Sequence, residues 1–210
     1  MKTATVQDLR YGFPKIEAWL AGGEEILITK HAKPADSGFG VTAFLRRRRW
    51  TKCALRNGGT VSVYPDTSFL CAIYREQDHS EKADAYRETL TAPLPFTSLL
   101  EFEFIQAIRL QIFPHKSDRT RGYTARAADQ MIADWEADIA AGLNVLVPAD
   151  ADAVLRLSRT YSLQHTASGG HRTLDVLHVA TAVHLGASTF LTFDERQRKL
   201  AHHAGLKLPL

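Results

Sequence analysis

The sequence has little cysteine and no long hydrophobic run. Its 210 residues contain two cysteines, Cys53 and Cys71, which form neither a CxxC pair nor a disulfide framework. No apolar segment reaches the roughly 20 residues that a membrane-spanning helix needs, and the polar residues after Met1 are unlike a signal peptide. These absences argue against a disulfide-stabilised secreted scaffold and against a membrane protein. They predict a cytoplasmic protein with reduced thiols.

Several catalytic signatures are also missing. The nine histidines include no HExxH pair, and His178 and His184 lack the i,i+4 spacing of zinc ligands. We therefore interpret these two as partly buried structural histidines, with contact of His178, one turn after Asp175, to a substrate as the alternative. Asp66 is followed two residues later by Ser68 and not by a second aspartate, which argues against a haloacid-dehalogenase-like phosphatase.

The charge is unevenly distributed along the chain. Residues 1–60 contain 11 Lys and Arg against 5 Asp and Glu, a balance of +6, whereas residues 61–210 contain 15 against 18, a balance of −3. This asymmetry predicts that the first part contacts a polyanion, with a solvated charged surface as the alternative.

The chain divides into a small module, a linker and a larger domain. In residues 1–36 we expect strands at 3–6 and 25–29 with two short helices between them, and residues 37–60 have the Gly- and Arg-rich composition of a linker. In residues 61–210, strands at 61–64, 145–147 and 189–192 alternate with helices at 67–75, 80–90, 98–113, 125–141, 151–162, 173–185 and 195–203. This order predicts an α/β domain whose short parallel sheet is sandwiched by helices.

Two carboxylates follow predicted strands. Asp66 comes after SVYP and Asp194 after TFLTF, and in parallel α/β sheets the ligand crevice lies beyond the carboxyl ends of the strands. Either residue could instead serve only as a helix N-cap.

Two more carboxylates lie near the starts of apolar helices. Ser98-Leu-Leu-Glu101 has the spacing of a capping box, so we assign Glu101 to capping and Glu103 to the candidate site. Asp175 lies one turn into a hydrophobic helix, where the helix dipole alone could also favour an anion.

Four carboxylates in one crevice would repel one another and raise their pKa values. A hard divalent cation, Mg²⁺ or Mn²⁺, binds carboxylate oxygens together with substrate phosphate oxygens and resolves this conflict. The pattern therefore predicts metal-assisted hydrolysis of a phosphodiester.

Residues 61–207 resemble a PIN domain of the VapC toxin ribonuclease type. The matching motifs are YPDTSFL, TSLLEFEFIQAI, LDVLHVATAVHLGA and FLTFDERQRKLAHHAGL. The resemblance implies a Mg²⁺- or Mn²⁺-dependent endoribonuclease that acts on RNA. It places Asp66, Glu103, Asp175 and Asp194 at the metal, with Ser68 and Thr192 as supporting polar neighbours.

Residues 1–36 resemble the DNA-binding part of a Phd/YefM-type antitoxin, a small α+β module. This resemblance implies homodimer formation and binding of operator DNA. Residues 37–60 replace the tail with which such antitoxins block their toxins, so a separate antitoxin is a further expected partner. The alternative function is a DNA-binding autorepressor whose PIN domain serves as a dimerisation or co-repressor body, but the presence of all four acids favours the nuclease.

Overall fold

The computed structural model describes residues 61–210, together with Trp19 and three short strands, β1 (Lys2–Thr5), β2 (Ile26–Thr29) and β3 (Ala43–Phe44). The chain divides into two compact units, Met1–Cys53 and Ala54–Leu210. In the first unit, β2 pairs in parallel with β1 and antiparallel with β3. β3 lies within the predicted linker. The remaining residues of the Phd/YefM-like module and of the linker lie outside the described residues.

Within the second unit, residues 61–210 contain four short strands that form two parallel pairs. β4 (Val63–Pro65) pairs with β7 (Thr189–Leu191), and β5 (Leu94–Phe96) pairs with β6 (Asn144–Leu146). The hydroxyls of Tyr64 in β4 and Thr97 after β5 share a 2.9 Å hydrogen bond, so the two pairs lie side by side. Because the paired strands are parallel, their carboxyl ends lie on the same side.

Helices flank these strands and follow most of them directly. They are α1 (Thr67–Tyr74), α2 (Ser80–Thr89), α3 (Ser98–Leu110), α4 (Ile112–Ser117), α5 (Ala125–Ala140), α6 (Ala151–Tyr161), a π-helical turn (Ser162–Thr166), α7 (Ala167–Gly169), α8 (Thr173–His184) and α9 (Glu195–His203). Gly186 and Gly205 follow the ends of α8 and α9 with φ of 73° and 78°, a left-handed conformation that glycine adopts at little cost. The predicted α/β fold, a short parallel sheet flanked by helices, is confirmed for this unit.

Aromatic side chains fill much of the core between the helices and the strands. The Trp135 ring of α5 is fully buried and lies 4.8 Å from Phe96, 5.2 Å from Phe104 and 5.6 Å from Tyr74, measured between ring centroids. Burying each such side chain contributes on the order of 2 to 3 kcal/mol to stability. This cluster packs α3 and α5 against β5. It therefore sets the orientation of the first turns of α3.

Two of the differences from the sequence-based prediction are explained by a proline. β5 was not predicted because Pro95 lies at its centre, and proline lacks the N–H that a strand uses for pairing. The predicted helix 98–113 is divided into α3 and α4, because Pro114 cannot donate a hydrogen bond to the carbonyl of Leu110 and its ring would clash there. Among the described residues, no helix is long and apolar enough to cross a membrane.

Candidate active site

A cleft of about 640 Å³ lies at the carboxyl ends of β4, β5 and β7. Its walls come from the amino-terminal turns of the helices that follow those strands, from the start of α8, and from residues 75–79 between α1 and α2. Glu103, Asp175 and Asp194 line the cleft together with Thr67 and Ser68. This is the position at which an open parallel sheet is expected to bind a ligand.

Asp66 lies directly beneath the cleft and is fully buried. Its Oδ1 accepts hydrogen bonds from the Ser68 hydroxyl (2.7 Å) and the Phe69 amide (2.9 Å), and its Oδ2 accepts one from the Thr192 hydroxyl (2.6 Å). Burial raises the pKa of Asp66 to about 6, although the bonds from Thr192, Ser68 and Phe69 partly oppose that shift. Asp66 is therefore both the N-cap of α1 and a carboxylate that burial makes costly to ionise.

Ser68 and Thr192 connect the carboxyl end of β4 to that of β7 beside Asp66. The Ser68 hydroxyl accepts a hydrogen bond from the Phe193 amide (2.8 Å), and the Thr192 hydroxyl accepts one from the Asp194 amide (2.9 Å). Both hydroxyls donate to Asp66, so each links the loop after β7 to the Asp66 carboxylate. The two residues expected to support the site thus lie in contact with its central acid.

Glu103 reaches the cleft from α3 and is held by two side chains. Its Oε2 accepts hydrogen bonds from the Thr67 hydroxyl and from Nε2 of His178 on α8. Burial alone would raise the pKa of Glu103, but the hydrogen bond and charge of His178, together with the bond from Thr67, lower it below the ordinary value.

Glu101 points away from the cleft, but the reason differs from the predicted one. The N-cap of α3 is Thr97, whose hydroxyl accepts a hydrogen bond from the Leu100 amide (3.4 Å), so the predicted Ser98–Glu101 capping box is wrong. Glu101 instead accepts a hydrogen bond from the indole Nε1 of Trp135 (3.3 Å). Tertiary packing, and not local capping, therefore separates Glu101 from Glu103.

Asp175 and Asp194 line the cleft while they also cap helices. Asp175 Oδ2 accepts a hydrogen bond from the Arg172 amide (2.9 Å) at the start of α8. Asp194 Oδ1 accepts hydrogen bonds from the amides of Arg196 (2.7 Å) and Gln197 (3.0 Å) at the start of α9. A structural role at a helix start, which the sequence offered as the alternative for each of these acids, thus occurs together with a place in the cleft.

The donor chemistry of this cleft fits a hard divalent cation. The candidate ligands are carboxylates, and no ion pair within residues 61–210 involves Asp66, Asp175 or Asp194. Over the same part of the chain, however, no three Asp, Glu, His or Cys side chains are already grouped as a metal site, and Glu103 is paired with His178. The acids therefore border one cleft without forming a closed coordination shell.

Sequence reasoning did not identify all of the residues around these acids. Neither Thr67 nor His178 was predicted to bind Glu103. His178 is in fact fully buried, and its place one turn after Asp175 on α8 directs it to Glu103. That three-residue spacing within one helix had suggested a contact of His178 with the substrate, whereas its partner in the structure is Glu103.

Comparisons with known proteins bear on the family. The family profile described as PIN domain matches residues 63–203, whereas no curated protein matches the sequence. Similar solved structures include the toxin VapC20 of Mycobacterium tuberculosis, described as cleaving the sarcin-ricin loop, with 16% identity and a TM-score of 0.49 over 70% of this chain and 97% of that one.

Two further solved structures are similar. One is FitAcB of Neisseria gonorrhoeae, with 17% identity and a TM-score of 0.48 over 70% of this chain and 95% of that one. The other is PAE2754 of Pyrobaculum aerophilum, with 19% identity and a TM-score of 0.44 over 73% of this chain and 89% of that one.

Proposed function

Because the chain belongs to the PIN domain family, whose members are typically nucleases, we propose that it is a metal-dependent endoribonuclease of the VapC toxin type. The proposed reaction is hydrolysis of an RNA phosphodiester bond with Mg²⁺ or Mn²⁺ as the cofactor. A homodimer and a separate antitoxin are the proposed protein assemblies.

The observation that carries this proposal is the buried carboxylate of Asp66 beneath a cleft that three further acids line. An ionised carboxylate without a cationic partner is costly to bury, and burial raises the pKa of Asp66 to about 6. A carboxylate kept in such a place is well suited to a ligand that carries positive charge. When bound, a divalent cation would neutralise the acids, activate a water molecule and offset the negative charge on the reacting phosphate.

The residues around the acids have positioning roles in this proposal. Ser68 and Thr192 fix both oxygens of Asp66, and Thr67 and His178 orient Glu103. Such fixed neighbours reduce the reorganisation that the acids must undergo before reaction.

Cleavage of labelled single-stranded RNA by the full chain tests the proposal. We expect cleavage with Mg²⁺ or Mn²⁺, none in EDTA, and a loss on the order of 100-fold or more in Asp66→Asn, with the fold of the variant verified by circular dichroism. Undiminished cleavage in EDTA, or by the folded Asp66→Asn protein, would show that the proposed reaction is wrong.

A further inference from the structure

A stack of aromatic rings runs from the core to the edge of the cleft. The rings of His79 and Phe193 are 4.5 Å apart and nearly parallel, with 5° between their planes. Phe193 is also nearly parallel to Phe69, at 6.2 Å and 15°. Phe69 is fully buried whereas His79 is exposed, so an accessible ring is backed by one that is anchored in the core.

The stack is held in a fixed position relative to the acids. Phe193 directly precedes Asp194, and its amide donates a hydrogen bond to the Ser68 hydroxyl, which itself donates to Asp66. His79 and Phe193 line the same cleft as Glu103. A planar group on this stack would therefore lie beside the acids.

Two arginines line this cleft as well. The Arg75 guanidinium donates a hydrogen bond to Oε1 of Gln77 (2.5 Å), which restrains it at the cleft. Arg172 is exposed, and its guanidinium forms no ion pair with any residue that the structure describes. The cleft thus combines flat aromatic surface with positive charge, the two features that proteins use to bind single-stranded nucleic acid.

We propose that His79, backed by Phe193, stacks on one unpaired nucleobase of the RNA substrate, while Arg172 contacts a neighbouring phosphate. This inference rests on the proposed function, since it takes RNA as the ligand of the cleft. Every nucleobase has a flat face, so stacking tolerates different sequences. A base must leave a helix before it can stack on a protein ring, so the contact selects unpaired RNA over duplex RNA.

Binding of two oligomers separates a base contact from a phosphate contact. Fluorescence anisotropy is measured on the full chain carrying Asp66→Asn, which prevents cleavage, with labelled oligouridine and with an abasic ribose-phosphate oligomer of the same length. The variants added to this background are His79→Ala, His79→Tyr, Arg172→Gln and, as a control on an exposed histidine of α9, His202→Ala.

We expect His79→Ala to weaken binding of oligouridine by about 5- to 140-fold, the range that corresponds to the loss of one stacked base. It should leave binding of the abasic oligomer unchanged. His79→Tyr keeps a ring and should remain within about threefold of the parent, as should His202→Ala. Arg172→Gln should weaken the binding of both oligomers to the same extent. It should also reduce the salt dependence of binding by about one phosphate contact.

If His79→Ala loses the same binding affinity for both oligomers, or loses affinity for neither, the stacking contact is wrong. The same holds if the parent binds neither oligomer. The inference and the proposed function fail separately. If the wild-type chain cleaves RNA with Mg²⁺ but His79→Ala binds oligouridine normally, only the stacking contact is wrong. If binding depends on His79 but no cleavage occurs, only the proposed reaction is wrong.

Discussion

Asp66 shows how one residue can serve both stability and a candidate reaction site. Its carboxylate caps α1 through the Phe69 amide, as a structural aspartate after a strand commonly does. The same group is fully buried, and burial raises its pKa to about 6. A capping aspartate that is exposed to solvent would not have a pKa raised in this way. The cap therefore stabilises the helix, while ionisation of the buried carboxylate opposes folding.

The raised pKa predicts how stability of the metal-free protein varies with pH. The ordinary pKa of an aspartate is near 3.9, so the folded state binds this proton more tightly than the unfolded state. Asp66 thus stabilises the protein below about pH 4 and loses that contribution as the pH rises to about 6, a change on the order of 2 to 3 kcal/mol.

Urea unfolding in EDTA at several pH values measures this effect. The free energy of unfolding of the wild-type chain should fall between pH 4 and pH 7 relative to that of Asp66→Asn, which cannot ionise at this position. A difference between the two proteins that stays constant with pH would contradict the raised pKa.

The choice between neighbouring acids was predictable only in part. The sequence places Asp66 and Asp194 after strands, and in the structure Asp194 lines one cleft with Asp175 and Glu103 while Asp66 is buried beneath it. The sequence-based reason for setting Glu101 aside was nevertheless wrong, because the Trp135 indole, 34 residues away, binds Glu101. A contact so distant in sequence leaves no trace in local spacing.

At the scale of elements, helices were predicted more accurately than strands. Apolar periodicity and the glycine stops located α8 and α9 to within one residue, because long amphipathic segments and positive-φ glycines are strong local signals. The three-residue β5 was missed since a strand so short carries little pattern and Pro95 interrupts it. The start of α3 was also misread, with Ser98 taken for the cap.

Replacing the Thr97 and Ser98 hydroxyls one at a time tests whether Thr97, and not Ser98, is the N-cap of α3. Thr97→Ala removes the N-cap and leaves the buried Tyr64 hydroxyl without its partner, so we expect a loss on the order of 1 to 3 kcal/mol in the free energy of unfolding. Ser98→Ala is the matched control and should change it by less than about 0.5 kcal/mol. Equal losses in the two variants would favour the capping box that begins at Ser98.

At the scale of the whole molecule, the second unit supports a coherent functional account. Its strand ends and the start of α8 bring Glu103, Asp175 and Asp194 to one cleft above the buried Asp66, and the PIN domain match covers most of that unit, residues 63–203. For residues 1–60, binding of operator DNA stays a prediction from the +6 charge balance and the resemblance to Phd/YefM antitoxins. Most of that segment lies outside the described residues.

The central claim is that the acids of the cleft bind a divalent metal, and Mn²⁺ binding to the full chain tests it most directly. Free Mn²⁺ is followed by electron paramagnetic resonance for the wild type and for Glu103→Gln and Glu101→Gln, two matched changes on the same helix. We expect Glu101→Gln to bind within about threefold of the wild type, and Glu103→Gln to bind at least about 10-fold more weakly. Equal affinity in all three proteins, or no binding by the wild type, would contradict the account.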